Sequence, residues 1–160
     1  MAKTNACRIL EQMGIPFSLR EYEVDPSDLA AETVAAKVGF PAEQVFKTLV
    51  VHGDKHGHAV AVVPGNWELD LKAMAKATGD RKVEMIALKD VQPVTGYIRG
   101  GVTALGMKKT FPVWVDETME LWDEVCVSGG MRGLQIVIAP KDYIKAVNAK
   151  VAEISREKGV

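Results

Sequence analysis

Residues 44–51, QVFKTLVV, constrain the fold more than any other stretch, because an extended chain with this sequence is apolar on both faces. Side chains of a strand point alternately to opposite faces, so Lys47 shares its face with three aliphatic residues. These are Val45, Leu49 and Val51, and the opposite face carries Phe46, Thr48 and Val50. Two apolar faces are typical of a strand that is covered on both sides. The segment therefore predicts a central strand that contains a lysine where burying a charge is costly.

A glycine-bracketed turn, GDKHG, separates this strand from a second apolar run, HAVAVVP. The two runs predict a β-hairpin formed by 45–52 and 58–64. Hydrophobic periodicity and turn residues predict the other strands and helices, with Thr4 and Asp70 as N-caps and Gly79 as the residue that ends the helix at 69–79. The strands lie at 17–23, 81–86, 96–98, 111–117, 124–130 (ending in a glycine turn) and 134–139, and the helices at 4–13, 29–38, 69–79 and 140–157, with a turn or short helix at 87–94.

The order of these elements indicates the fold class. Strands and helices are interspersed, and several strands follow one another through turns rather than through helices. This pattern predicts an α/β (α+β) fold with a mixed, mainly antiparallel central sheet surrounded by helices. The 160 residues, 48% of them hydrophobic, are expected to form a single domain over 1–160.

Net charge and the first residues limit the partners and the cellular location that we expect for this protein. At a net charge of −1, a large nucleic acid would have to be held by a local basic patch or with help from a partner. The first residues lack the apolar run of a signal peptide, and no stretch approaches the ~20 apolar residues of a membrane span. We expect a cytoplasmic protein without a membrane partner. Cys7 and Cys126 form no CxxC motif, and the expected role of each is buried packing.

Lys47 is the first candidate for chemistry. Apolar neighbours lower the pKa of a lysine, which then serves as a base, a nucleophile or a charge for an anionic group. The alternative is a lysine whose stem packs while its ammonium reaches water. Two glycine loops, at 100–106 and 128–133, follow predicted strands. Their backbone N–H groups either converge on one ligand oxygen or simply form turns.

Other clusters allow further hypotheses. Basic residues near the first loop, Arg99, Lys108 and Lys109, either meet phosphates or form a solvated face. His52, His56 and His58 bracket the hairpin turn and allow a metal-site hypothesis, although their spacing matches no common zinc site. Ser128 lies outside a GxSxG elbow, which argues against a serine nucleophile.

Six motifs in a fixed order carry a family resemblance. They are EYEVD (21–25), QVFKTLVV (44–51), LDLKAMAKATG (69–79), KVEM (82–85), GYIRGGVTALGMKK (96–109) and VSGGMRGLQIVIAP (127–140). In order and spacing the chain resembles the YbaK family, within the YbaK/ProX/INS superfamily of aminoacyl-tRNA editing domains. The resemblance covers nearly the whole chain.

The resemblance implies an enzyme that removes wrong amino acids from mischarged tRNA, without a metal or organic cofactor. YbaK-like members remove cysteine, mainly from tRNA of the proline acceptor type, and ProX-like members remove alanine. Prolyl-tRNA synthetase is a possible partner. The alternatives are an Ala-tRNA(Pro)-type deacylase and a non-catalytic module that binds tRNA or a synthetase.

The resemblance also implies site residues. The essential lysine of the family falls on Lys47, which would bind and polarise the charged 3′ end, and its early aromatic falls on Tyr22. The implied substrate-binding residues are Tyr22, Gly100, Gly101, Val102, Thr103, Gly106, Ser128, Gly129, Gly130 and Gln135. The sequence departs from the family pattern at two of these residues and at Ala104. The loop GG[IV]SPxG is here GGVTALG, so Thr103 replaces serine and Ala104 replaces proline, and Gln135 stands where some members carry aspartate. These departures leave the amino-acid preference open.

Overall fold

The computed structural model describes residues 4–159. Its elements follow the chain in this order: α1 (Asn5–Gln12), β1 (Ser18–Glu21), α2 (Ala31–Val38), a 3₁₀ turn (Ala42–Gln44), β2 (Phe46–Gly53), β3 (Gly57–Pro64), β4 (Trp67–Leu69), α3 (Leu71–Thr78), β5 (Val83–Met85), a 3₁₀ turn (Leu88–Asp90), α4 (Val91–Thr95), β6 (Val113–Asp116), a 3₁₀ turn (Glu117–Leu121), β7 (Val125–Ser128), β8 (Leu134–Ile138), α5 (Pro140–Ala146), β9 (Lys150–Ala152) and β10 (Ser155–Glu157).

Within residues 4–159 the strands form three sheets. A five-stranded sheet has the order β5-β2-β3-β6-β9, antiparallel from β5 to β3 and parallel from β3 to β9. An antiparallel sheet has the order β1-β8-β7, and β10 pairs with β4. A parallel bridge between Val45 and Cys126 connects the start of β2 to β7. The prediction of a mixed, mainly antiparallel fold is confirmed, although its strands are divided among several sheets.

The hairpin of β2 and β3 lies between two apolar cores, as the sequence predicts. Phe46, Val60 and Val62 pack on one side with residues of α1, β7, β8 and α5. Val51 and Val63 pack on the other side, with residues that include Met74 of α3. Packing on both faces and pairing with β3 and β5 make β2 a central strand that holds Lys47 in a defined position.

The helix ends follow the predicted caps. The side chain of Thr4 accepts a hydrogen bond from the Cys7 N–H at 3.2 Å, and that of Asp70 accepts one from the Ala73 N–H at 3.1 Å. Gly79 ends α3 with a φ of +82°, a conformation that favours glycine. No helix in residues 4–159 is long and apolar enough to cross a membrane.

The predicted terminal helix over 140–157 is wrong beyond its first two turns. Helix α5 ends at Ala146, and Asn148 turns the chain with a φ of +51°. The chain then adds β9 to β6 and β10 to β4. Ile154 is fully buried, and the Asp116 carboxylate accepts hydrogen bonds from the N–H groups of Ile154 and Ser155 at 3.0 and 2.9 Å. These long-range contacts override the local helical pattern.

Two smaller differences affect strands. The predicted strand at 96–98 is not formed, because Gly96 ends α4 with a φ of +83° and the Tyr97 hydroxyl donates to the Leu105 carbonyl. This contact folds the glycine-rich segment back on itself. Strand β4 was not predicted, and its three residues depend on pairing with the distant β10.

Candidate functional site

A cavity of about 390 Å³ opens beside the first half of β2. It exists because β5 pairs with β2 only at Val51, His52 and Gly53, which leaves the preceding part of that edge uncovered by β5. The walls come from β2, the start of α2, the segment after β5, both predicted glycine loops and the C-terminal segment. The lining residues include Lys47, Thr48, Gly65, Leu88, Val102 and Gln135.

Lys47 projects into this cavity. Its Nζ donates to the carbonyl oxygen of Gly65 at 3.3 Å, and the Gly65 N–H in turn donates to the Val45 carbonyl at 2.7 Å. Burial lowers the pKa of the Lys47 ammonium from its ordinary value, and the positive charge of Lys158 lowers it further, while Glu32 acts in the opposite direction. The ammonium is therefore partly dehydrated and held at the cavity wall.

The cavity is electropositive. Its charged lining residues in the described part of the chain are three cations, Lys47, Arg99 and Lys158, and one carboxylate, Glu32. The Lys158 ammonium pairs with the Glu32 carboxylate at 2.6 Å. Although the chain as a whole has a net charge of −1, this site attracts anions.

Two residues of the first glycine loop, Gly100 and Val102, line the cavity. Gly100 has a φ of +88°, which favours glycine because a side chain is strained there. Gly101 instead donates its N–H to the Ile98 carbonyl at 2.9 Å and packs against the backbone of Met131. The loop therefore presents part of its backbone to the cavity and uses the rest to hold its shape.

Thr103 and Gly106 of that loop pack against the rest of the protein and hold the loop in its conformation. Thr103 is fully buried, and its hydroxyl accepts a hydrogen bond from the Leu105 N–H at 3.3 Å. Gly106 has a φ of +71° and lies against Asn5 and Tyr97, where a Cβ would clash with the Asn5 amide. Neither Thr103 nor Gly106 lines the cavity.

Ser128, at the start of the second loop, and Gln135, in β8 just after that loop, line the cavity. The Gly130 N–H donates to the Ser128 hydroxyl at 3.2 Å. Gly129 donates its N–H to the Leu134 carbonyl and accepts a hydrogen bond from the Thr4 hydroxyl at 2.6 Å. Gln135 is only 5% exposed, and its Oε1 has no hydrogen-bond partner among residues 4–159.

The two loops are tied together by Arg132. Its Nε donates to the Arg99 carbonyl at 2.8 Å, and its side chain packs against Gly100. The structure therefore brings Lys47, Gly100 and Ser128 to one cavity, as well as Val102 and Gln135. Tyr22 lies elsewhere, on a shallow depression with Val24 and Lys37, and its N–H donates to the Gly133 carbonyl at 3.0 Å.

Sequence reasoning missed two charged residues of the cavity, Glu32 and Lys158. The two are 126 positions apart; Glu32 lies in a predicted helix, Lys158 directly follows one, and both have other charged residues nearby in sequence. Arg99 was noted as basic, but nothing in its sequence context separated it from Lys108 and Lys109.

The hairpin histidines and the two cysteines, which are the other side chains considered for chemistry, lie outside this cavity. His52 and His58 face each other across the hairpin with ring centroids 4.9 Å apart, and within residues 4–159 no group of three or more His, Cys, Asp or Glu could hold a metal. Cys7 and Cys126 are buried, and burial raises the pKa of the Cys126 thiol to about 12. None of these side chains lines the cavity.

Comparison with known proteins identifies relatives. The model of the family described as "Aminoacyl-tRNA editing domain" matches residues 25–146. An Enterococcus faecalis protein, named "Putative Cys-tRNA(Pro)/Cys-tRNA(Cys) deacylase EbsC", is 47% identical over 153 residues, which are 96% of this chain and 93% of that protein. A proline–tRNA ligase of Streptomyces griseus is 36% identical over 89 residues, which are 54% of this chain and 15% of the ligase.

A solved structure agrees with these matches. It is described as a "putative trans-editing enzyme for prolyl tRNA synthetase", and it superposes with a TM-score of 0.83 at 27% sequence identity, covering 98% of this chain and 99% of that chain. The resemblance to the YbaK family is thereby confirmed. The extent of the family match and the identity to the Enterococcus protein show that this chain belongs to the aminoacyl-tRNA editing domain family.

Proposed function

We propose that residues 1–160 form one editing domain that acts in trans, in the cytoplasm, as an aminoacyl-tRNA deacylase. Its substrate is the ester that joins a wrong amino acid to the 3′ end of tRNA, and the preferred substrate is cysteinyl-tRNA(Pro). The observation that carries this proposal is the partly dehydrated ammonium of Lys47 in an electropositive cavity that both glycine loops line. The name of the Enterococcus relative supports the same substrate.

The need for such an enzyme is physical. A synthetase pocket rejects a smaller side chain poorly, because one methylene contributes only ~1–3 kcal/mol of discrimination. Cysteine and alanine therefore enter a pocket built for proline. A second site has to cleave the wrong ester after it is formed.

Lys47 is proposed to bind and polarise the 3′ end. An ammonium that has lost part of its hydration interacts more strongly with an ester or ribose oxygen than an ammonium in water does. Its hydrogen bond to the Gly65 carbonyl fixes its direction before substrate arrives. Preorganisation of this kind lowers the cost of stabilising charge that develops during the reaction.

The first glycine loop is proposed to stabilise the oxyanion. Cleavage of the ester places negative charge on the carbonyl oxygen, and backbone N–H groups are suitable donors for it. Gly100 and Val102 are the proposed donors, because both line the cavity while the Gly101 N–H is bonded to Ile98. Gly101, Thr103 and Gly106 would then act by holding the loop.

No nucleophile of the chain is needed for a cysteinyl ester. Its thiol sulfur attacks its own carbonyl carbon, the bond to the ribose oxygen breaks, and the ribose hydroxyl gains the proton that the thiol loses. The product is a cyclic thiolactone and deacylated tRNA. An alanyl ester lacks this thiol and requires water, so the protein contributes mainly positioning and electrostatics.

The second loop is proposed to contact the amino acid. Ser128 and Gln135 lie in the cavity wall, and the unpartnered Oε1 of Gln135 is a ready acceptor for a donor of the substrate. The Gly130 N–H donates to the Ser128 hydroxyl, and the Gly129 N–H donates to the Leu134 carbonyl, so that both glycines would hold the loop in position. Tyr22, which lies outside this cavity, is proposed to contact a more distant part of the tRNA. Prolyl-tRNA synthetase is a proposed partner, because a chain of charge −1 gains from help in holding tRNA.

A deacylation panel tests the proposal. Purified protein is mixed with an excess of Cys-, Ala-, Ser- or Pro-tRNA(Pro), and loss of the ester is followed over time. We expect multiple turnovers with Cys-tRNA(Pro), a fall of about 10²-fold or more in kcat/KM for Lys47→Ala, and partial activity for Lys47→Arg. Lys82→Ala, at an exposed lysine outside the cavity, serves as the matched control.

Two results would overturn the proposal in different ways. Equal ester loss with wild type and Lys47→Ala would remove Lys47 from the mechanism. Binding of aminoacyl-tRNA without turnover on any member of the panel would favour the non-catalytic tRNA-binding module instead.

A further inference from the structure

An ion pair between the start of α2 and the segment that follows β10 lies at the rim of the cavity. The Lys158 ammonium and the Glu32 carboxylate are 2.6 Å apart, and their side chains are 46% and 48% exposed. Both residues line the same cavity as Lys47. The pair therefore belongs to the site but lies toward solvent.

The position of Lys158 is determined by pairing of the C-terminal segment. Strand β10 pairs with β4, with Glu157 opposite Trp67, and Lys158 follows directly. Trp67 lies two residues after Gly65, whose carbonyl accepts the Lys47 hydrogen bond. This route brings Lys158 to the side of the cavity where the Lys47 ammonium is anchored.

Two cations line the same cavity at this position. The positive charge of Lys158 lowers the pKa of the Lys47 ammonium, and the carboxylates of Glu32 and Glu68 act in the opposite direction. An exposed pair of this kind stabilises a fold little, so its net contribution does not explain why two cations are kept together. An anion placed between the ammonium groups would relieve the repulsion and would displace Glu32 at small cost.

We propose that Lys158 is a phosphate-binding residue that contacts the 5′-phosphate of the terminal adenosine of the tRNA acceptor end, with Glu32 holding it in place until substrate arrives. This inference rests on the proposed function and deepens it. The ester lies at Lys47, and the phosphate of the same nucleotide is one ribose away, which fits two cations on one side of one cavity. Lys47 thus contacts the reacting ester, while Lys158 contributes binding affinity and positions the nucleotide through its phosphate.

The test uses two stable analogues in which an amide replaces the ester of cysteinyl-adenosine. One carries a 5′-phosphate and the other lacks it. Their dissociation constants are measured by calorimetry for wild type, Lys158→Gln and Glu32→Gln at low ionic strength. Lys82→Gln is the matched control, because Lys82 forms an exposed 2.9 Å pair with Glu84 outside the cavity.

We expect wild type to bind the phosphorylated analogue about tenfold more tightly than the other, as suits one charge-assisted contact. Lys158→Gln should lose this preference while binding the unphosphorylated analogue as wild type does. Glu32→Gln and Lys82→Gln should keep it. The preference should also diminish as salt is raised.

The outcomes separate this inference from the proposed function. If Lys158→Gln keeps the full preference for the phosphorylated analogue, Lys158 is not the phosphate contact. The same follows if Lys82→Gln loses that preference as much as Lys158→Gln does. Either result leaves the proposed deacylase function standing. If neither analogue binds wild type, the nucleotide site itself is refuted together with this inference. If both analogues bind wild type equally, the phosphate contact alone is refuted.

Discussion

The Lys47 ammonium donates to the Gly65 carbonyl across the open side of the β2–β3 hairpin, at 3.3 Å. Gly65 is able to provide this carbonyl because it packs where no side chain fits. A Cβ at this position would lie 2.7 Å from the Val45 carbonyl oxygen and 2.9 Å from the Ala31 Cβ. The lysine and its anchor thus depend on one tightly packed turn that the start of α2 covers.

Gly65→Ala is therefore expected to impair the site as well as the fold. The overpacked turn should cost about 1–3 kcal/mol of unfolding free energy and should move the carbonyl that orients Lys47, so that kcat falls. Gly57→Ala is the control, since its left-handed φ of +75° is strained but nothing lies within 4 Å of the added Cβ. Urea unfolding and deacylation are measured for both. Equal activity loss at equal destabilisation would show that the Lys47 anchor has no role of its own.

The lowered pKa of Lys47 predicts how stability depends on pH. In the unfolded chain the ammonium titrates near its ordinary value of 10.5, whereas in the folded chain it loses its proton at lower pH. Between the two pKa values the unfolded state binds more protons, so the free energy of unfolding rises with pH through this alkaline window. Below the folded pKa the cost of the buried charge is fully present.

Lys47→Met removes this group, and the difference between wild type and the variant isolates its titration. We expect Lys47→Met to be at least as stable as wild type at neutral pH, and wild type to gain on it as the pH approaches 10.5. Urea unfolding at several pH values measures the difference. A constant difference across the alkaline range would contradict the inferred direction of the pKa.

Local sequence predicted the parts of the fold that local chemistry determines. Alternation placed Lys47 on a central strand, and the caps at Thr4, Asp70 and Gly79 are formed as predicted. The final strands could not be predicted in this way. Residues 147–157 contain two Ala, two Glu, one Lys and one Arg, which favour helix, and only partners more than thirty positions away turn them into β9 and β10.

The same distinction applies to the candidate site. Lys47 and the glycine loops carry recognisable motifs, and Gly100, Ser128 and Gln135 do meet Lys47 in one cavity. Glu32 and Lys158 carry none, because each is an ordinary exposed charge until the fold pairs them across 126 positions. Charged residues that act only through tertiary proximity leave no local pattern to detect.

Gln135 provides a prediction that separates binding from stability. Its buried Oε1 has no partner in residues 4–159, and an unsatisfied buried acceptor costs the fold about 1–3 kcal/mol. Gln135→Met should therefore be as stable as wild type or more stable, while kcat/KM for Cys-tRNA(Pro) falls about tenfold through loss of the substrate contact. Thermal unfolding and steady-state kinetics measure the two effects. A variant that loses stability but keeps activity would reverse this assignment.

The buried cysteines provide a test of the nucleophile. Burial raises the pKa of Cys126 to about 12, and neither Cys126 nor Cys7 reaches the cavity. We expect both thiols to resist alkylation in the folded protein and to react fully in urea. The double variant Cys7→Ala, Cys126→Ala should lose about 2 kcal/mol of stability to cavities yet keep its kcat. Loss of turnover in a variant that remains folded would place a protein thiol in the mechanism.

Asp116 connects the misassigned C-terminal segment to the site. Its buried carboxylate accepts the N–H groups of Ile154 and Ser155, which fixes the start of β10 and hence the position of Lys158. Asp116→Ala should cost about 3 kcal/mol, because the buried Ile154 N–H, the partly buried Ser155 N–H and the Thr118 donors lose a charged acceptor. Amide exchange in 150–157 should accelerate, and KM should rise more for aminoacyl-tRNA than for cysteinyl-adenosine, since Lys158 meets the phosphate. Asp123→Ala, at an exposed carboxylate, should change none of these values. Unchanged exchange in 150–157 for Asp116→Ala would show that strand pairing alone holds the segment in place.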